Sequence, residues 1–124
     1  MSDVKENRAK WVAALRSGEF VQGTDNLENK DGSMCCLGVL CKVMGSERSI
    51  NAQDIIMYGD KFNMADQHAV DAVGLTNEAG DFSYEAKKKL NLDYASLWQL
   101  NDHANLTFNE IADIIESEPE GLFK

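Results

Sequence analysis

The run Cys35-Cys36-Leu37-Gly38-Val39-Leu40-Cys41-Lys42-Val43-Met44-Gly45 constrains this chain more than any other stretch. Drawn as a helix from Leu37 onward, Leu37, Cys41 and Met44 share one side, Leu40 and Val43 flank it, and Val39 falls on the far side. Only Gly38 and Lys42 lie near a polar edge. A helix that is apolar nearly all round belongs in an interior. Burying Leu37, Val39, Leu40, Val43 and Met44 contributes about 1.5–3 kcal/mol each before entropy is charged. The other segments are therefore expected to pack onto this rod.

A chain of 124 residues is one domain's worth, so a single domain over 1–124 is expected. No apolar run approaches the roughly 18 residues of a membrane helix, and Met1-Ser2-Asp3-Val4-Lys5-Glu6 lacks the regions of a signal peptide. Three cysteines, two adjacent, form no even disulfide framework and read as reduced thiols. A cytosolic protein without membrane attachment is the expectation. The formal charge of −9 argues against generic binding to a phosphate backbone. It suits either plain solubility or an acidic surface that meets a basic partner, with Glu110, Asp113, Glu116, Glu118 and Glu120 as the local concentration.

Residues 3–17 read as a helix, with Asp3 and Glu6 at capping-box spacing, Val4, Trp11 and Leu15 on one face, and Gly18 as the stop. The Gly, Asn and Asp residues of 23–32 signal turns, and Asp31-Gly32 signals a hairpin. A small antiparallel pair is expected, about 26–30 against 33–36, leading into the central helix. Residues 46–62 are read as a short helix near 51–57 and a loop at Gly59-Asp60. Asn63 with Asp66 suggests a cap for a helix over about 64–73, closed by Gly74. Ser83 suggests a helix through about Leu90, its last turn carrying Lys87, Lys88 and Lys89, where cations suit the helix dipole. Tyr94–Asn101 is a further helix. Thr107 with Glu110 is a capping box opening the clearest amphipathic helix, with Phe108, Ile111, Ala112 and Ile115 on one side. Pro119 ends it, and Leu122 and Phe123 are free to dock back. The sum is an α+β fold, mainly helical, around a buried central helix with one small antiparallel β-hairpin.

Three chemistries fit the residue types. Cys36 at a helix N-terminus, with Asn101 and His103 as base and orienting group, follows the logic of a cysteine hydrolase. The competing reading makes Cys35, Cys36 and Cys41 packing residues and Asn101 and Asp102 turn residues. Metal binding by the cysteines with His68 and His103 is disfavoured, because Cys36 and Cys41 lie about 140° apart on a helix. The acids of the last helix alternate with apolar positions as on any surface helix, so no metal and no other cofactor is expected. The Gly23–Gly32 loop beside the helix start offers an anion cradle, without the Gly-Lys-Ser/Thr ending of a P-loop.

The order Trp11-Val12-Ala13-Ala14-Leu15-Arg16-Ser17-Gly18, Gln22-Gly23, Cys35-Cys36-Leu37-Gly38-Val39-Leu40-Cys41, Val73-Gly74-Leu75, Leu100-Asn101-Asp102 and Phe108-Asn109-Glu110-Ile111-Ala112-Asp113-Ile114-Ile115-Glu116 resembles a family of small proteins encoded in bacteriophages and prophages. The similarity runs through the Glu118–Phe123 tail and departs from the family pattern at 46–62 and at His103. The resemblance implies phage origin and brings no chemistry with it. The leading expectation is a non-enzymatic accessory protein in the host cytoplasm that binds a host or phage protein, for host takeover or against a host defence. Its candidate binding residues are Gln22, Gly23, Glu110, Asp113 and Glu116. The alternatives are a small-ligand or nucleotide-binding protein acting as a signal sponge, and the cysteine hydrolase. Nothing in the sequence sets the oligomeric state.

Overall fold

A computed structural model describes residues 3–124, so Met1 and Ser2, part of the N-terminal stretch read above, lie outside it. Helix α1 (Val4–Arg16) begins where the Asp3 carboxylate accepts from the amides of Lys5 and Glu6, at 2.9 and 3.4 Å. It buries Trp11, Val12 and Leu15. Helix α2 (Cys36–Val43) is the expected rod: every residue from Cys36 to Cys41 is buried, and Lys42 reaches solvent. Its cap is Cys35, whose sulfur accepts from the Gly38 amide at 3.4 Å. Trp11 ties α1 to this rod, its indole Nε1 donating to the Cys36 carbonyl at 3.1 Å.

The two short strands are not where the sequence places them. The pairing of 26–30 with 33–36 does form but shrinks to one antiparallel bridge, Glu28 with Met34, while Met34 also bridges Gln22 in parallel. The Asp31-Gly32 turn does form, with Gly32 at φ 89 and the Asn29 amide donating to the Ser33 carbonyl at 2.8 Å. The polar side chains around it prefer local bonds to a ladder: Asn29 Nδ2 donates to the Thr24 carbonyl and to Ser33 Oγ, and Asp31 accepts from the Ser33 amide and hydroxyl. The sheet is instead β1 (Arg48–Ile50) paired antiparallel with β2 (Ile56–Tyr58), in the segment read as a helix near 51–57. There Asn51 Oδ1 accepts from the amides of Gln53 and Ile55, and Asp54 adopts φ 63. This turn leaves the β-branched Ile50, Ile55 and Ile56 to extended backbone, which they favour.

Helix α3 (Gln67–Val73) starts later than about 64, because Asp66 rather than Asn63 caps it, and Gly74 closes it at φ 72. Helix α4 (Tyr84–Lys89) is capped by Ser83, and α5 (Leu97–Asp102) by Ser96, three residues after the expected start at Tyr94. Helix α6 (Phe108–Glu116) has the full Thr107/Glu110 capping box. Its apolar side, Phe108, Ile111, Ala112, Ile114 and Ile115, packs toward α1 and α5. The tail docks: Leu122 is fully buried, the Thr76 amide donates to its carbonyl at 3.0 Å, and the Arg8 guanidinium lies 3.8 Å above the Phe123 ring. One core joins all six helices, giving an α+β, mainly helical fold with α2 at its centre.

Candidate functional site

The sequence candidates separate into two places. The first is a buried polar knot around Asn101, which α5 carries to the N-terminal end of α2. Asn101 Oδ1 accepts from the Cys36 amide at 3.2 Å and from Gln22 Nε2 at 2.9 Å. Its Nδ2 donates to the Gly23 carbonyl at 2.9 Å and to Asp102 Oδ1 at 2.8 Å. Gln22 also donates to the Leu106 carbonyl at 2.7 Å, and Asp102 accepts from the Asp25 amide at 3.1 Å. Asn101 is 1% exposed, and these four bonds use its whole capacity. The knot pins the 22–25 loop, α2 and α5 together.

The same contacts fill the proposed anion cradle. Two first-turn amides of α2 are occupied, Cys36 by Asn101 and Gly38 by Cys35. Gly38 is further covered by the backbone of Leu27.

Cys36 and His103 do not form a pair. The Cys36 thiol is fully buried and donates to the Leu97 carbonyl at 3.7 Å. His103 is exposed at the end of α5, its ring 5.3 Å from that of Trp98 and 5.9 Å from that of Tyr94. A nucleophilic cysteine needs its thiolate stabilised. Here burial does the opposite, pushing Cys35 up to about 11, Cys41 up to about 12 and Cys36 well above its ordinary value. Cys41 additionally donates to the buried Asp66 carboxylate at 3.6 Å, which also accepts from Ser46 Oγ at 2.7 Å. Among the described residues no three His, Cys, Asp or Glu side chains converge as a metal site would require.

The second place is the outer side of α6. Glu110, Asp113 and Glu116 are exposed there, followed by Glu118 and Glu120. Glu110 serves the capping box by accepting from the Thr107 amide at 2.9 Å. Asp113 accepts from Arg16 at 2.8 Å, and Glu116 accepts from the same guanidinium; Arg8 meets Glu118 at 2.9 Å. Exposed pairs of this kind are screened by solvent and leave the acids free to exchange partners. Between α1 and α6 runs an open trough of about 570 Å³, floored by Ala9, Val12, Ala13 and Ile115. Sequence reasoning missed this contribution of α1. Ala9 and Ala13, one helical turn apart on an otherwise charged face, were the available signal.

The model of a protein family described as a domain of unknown function (DUF8296) matches residues 2–119. No curated protein and no solved structure matches the chain. Among the described residues no helix is long and apolar enough to cross a membrane.

Proposed function

We propose that this chain, which belongs to the DUF8296 family, is a non-enzymatic accessory protein of phage origin, acting in the host cytoplasm, whose acidic α6 face binds a basic surface on a host or phage macromolecule. Host takeover and counter-defence are the roles such binding serves. The observation that carries the reading is the imbalance along α6 and the segment after it. Five exposed acids, Glu110, Asp113, Glu116, Glu118 and Glu120, are answered among the described residues by Arg8 and Arg16. The whole chain carries −9, so its long-range field favours the same partner chemistry. The protonated, enclosed thiols and the saturated Asn101 knot support a surface role over a catalytic one.

The test is capture from host lysate by the wild-type chain and by a quadruple variant, Glu110→Gln, Asp113→Asn, Glu116→Gln and Glu120→Gln. Glutamine at 110 keeps the capping box. The expected partner is retained by the wild type, is lost from the neutralised variant, and elutes near 0.5 M salt, where the Debye length is only about 4 Å. A partner held equally by both proteins, or no partner at all, overturns the reading.

A further inference from the structure

Strand β1 keeps one edge open. The Gly59 amide donates to the Glu47 carbonyl at 2.7 Å, and the Asn51 amide to the Ile55 carbonyl at 3.0 Å. These bonds flank the ladder, and with Ser49 opposite Met57 they make the alternate, hydrogen-bonded pairs of an antiparallel sheet. Arg48 opposite Tyr58 and Ile50 opposite Ile56 are then the pairs that exchange no bonds, so the amides and carbonyls of Arg48 and Ile50 point away from β2. Among the described residues none of these four groups meets a backbone partner. The far side of β2, by contrast, is closed at Tyr58, whose amide and carbonyl both bond Lys61, at 2.8 and 3.0 Å.

The side chains along this edge narrow what can pair with it. Ile50 is 59% exposed, whereas Ile56, directly opposite it, is buried. Both line a groove of about 310 Å³ together with Lys30, Arg48 and Asp54. Arg48 gives Nε and Nη2 to Glu28 and keeps Nη1 free, and Lys30 takes part in no ion pair among the described residues. We propose that β1 is a docking edge for an extended segment of another protein, added antiparallel along Arg48–Ile50, with an aliphatic side chain opposite Ile50 and, two residues later, a carboxylate opposite Arg48. Unpaired edge groups in two residues of one strand are answered by extended backbone, and antiparallel pairing is the more stable per residue. Directly opposite residues share a face of the sheet, so the aliphatic group enters the groove beside Ile50 and the carboxylate faces the guanidinium. The four backbone bonds give affinity and the alternate side chains give specificity. A second copy of β1 offers only Arg48, Ser49 and Ile50, with no carboxylate for the guanidinium. None of these residues belongs to the acidic α6 face, so the two readings stand or fall separately.

Amide hydrogen exchange of the full chain, followed by NMR during titration with the peptide acetyl-Thr-Lys-Thr-Val-Thr-Glu-Thr-amide to millimolar concentration, decides it. At saturation the Arg48 and Ile50 amides are expected to exchange about tenfold more slowly than in the free protein, while Ser49, already paired with Met57, changes less. The same peptide methylated at its valine nitrogen cannot donate to the Ile50 carbonyl, and one with lysine and glutamate exchanged sets a cation against Arg48. Each is expected to bind about tenfold more weakly. Ile50→Pro removes an outward amide and spares the inward bonds of Ser49 and Asn51, as proline on an edge strand does, and should weaken binding of the parent peptide by a similar factor. Should that variant fail to fold, the methylated peptide still decides, because it leaves the protein unaltered. Unchanged exchange at Arg48 and Ile50 on adding the parent peptide overturns the proposal, as does equal binding of the methylated or charge-exchanged peptide. Protection of these amides that grows with protein concentration in the absence of peptide assigns the edge to a second copy and overturns it as well.

Discussion

The Leu27 carbonyl oxygen stands so close to Gly38 that a Cβ at that position would lie 1.9 Å from it. The Gly23–Gly32 loop thus rests its backbone directly on α2, and the Cys35 amide donates to the same oxygen at 3.3 Å. Gly38→Ala must push two backbones apart, which places its cost at or above the upper end of the roughly 1–3 kcal/mol typical of overpacking. Urea unfolding is the check, and an unchanged midpoint would show that the loop is not seated there.

Asn101 offers a second test, since it joins three segments through one amide. Asn101→Ala leaves the Cys36 amide and the Gly23 carbonyl without their partner and should cost about 3 kcal/mol. Asn101→Asp keeps the acceptor, loses the donor, and sets a second carboxylate against Asp102. Its stability deficit should shrink as pH falls toward about 4 and the new group takes up a proton. A deficit that does not vary with pH would argue against this contact.

The three thiols should resist alkylation at pH 8 in the folded protein and react fully once it is denatured. Burial raises Cys35 from its ordinary 9.0 to about 11 and Cys41 to about 12. Above pH 9 the unfolded chain releases thiol protons that the folded chain still holds. The unfolded state then binds fewer protons, so stability declines with rising pH through about 9 to 12. Stoichiometric labelling of the native protein at neutral pH would refute the enclosed arrangement.

Glu28 carries the opposite dependence. Arg48 donates to both of its oxygens, at 3.0 and 3.1 Å, and the Tyr58 hydroxyl donates at 2.6 Å. Hydrogen bonding from Arg48, above all, holds the carboxyl below its ordinary 4.5. The stabilisation is present above that value and disappears as pH drops through the lower, folded one. Glu28→Gln should cost about 1–3 kcal/mol at neutral pH and flatten acid unfolding, read by circular dichroism between pH 2 and about 7.

What the sequence made legible was periodic or capped. The rod from Cys36, the Thr107/Glu110 box, the Asp3, Ser83 and Gly74 signals and the returning Leu122 all follow from local chemistry. What it concealed was non-local or competitive. The hairpin at 48–58 hides because isoleucines among polar residues suit either period, and Asn51 settles the matter through a side-chain turn. The pair expected at 26–36 is cut down to the Glu28–Met34 bridge by Asn29 and Asp31, which bond their neighbours. Gln22 and Asn101 were visible separately as a loop residue and a turn residue, yet no spacing rule shows that one amide accepts from the other across 79 positions.

The packing of α1 against α6 has a consequence for how the chain is made. Trp11 and Leu15 leave a translating ribosome well before α6, which covers part of the same face of α1. In that interval α1 can already meet α2 through Trp11, while the part of its face that α6 covers stays open. A product cut off before α6 therefore exposes apolar surface of α1 and should be cleared by quality-control proteases rather than accumulate.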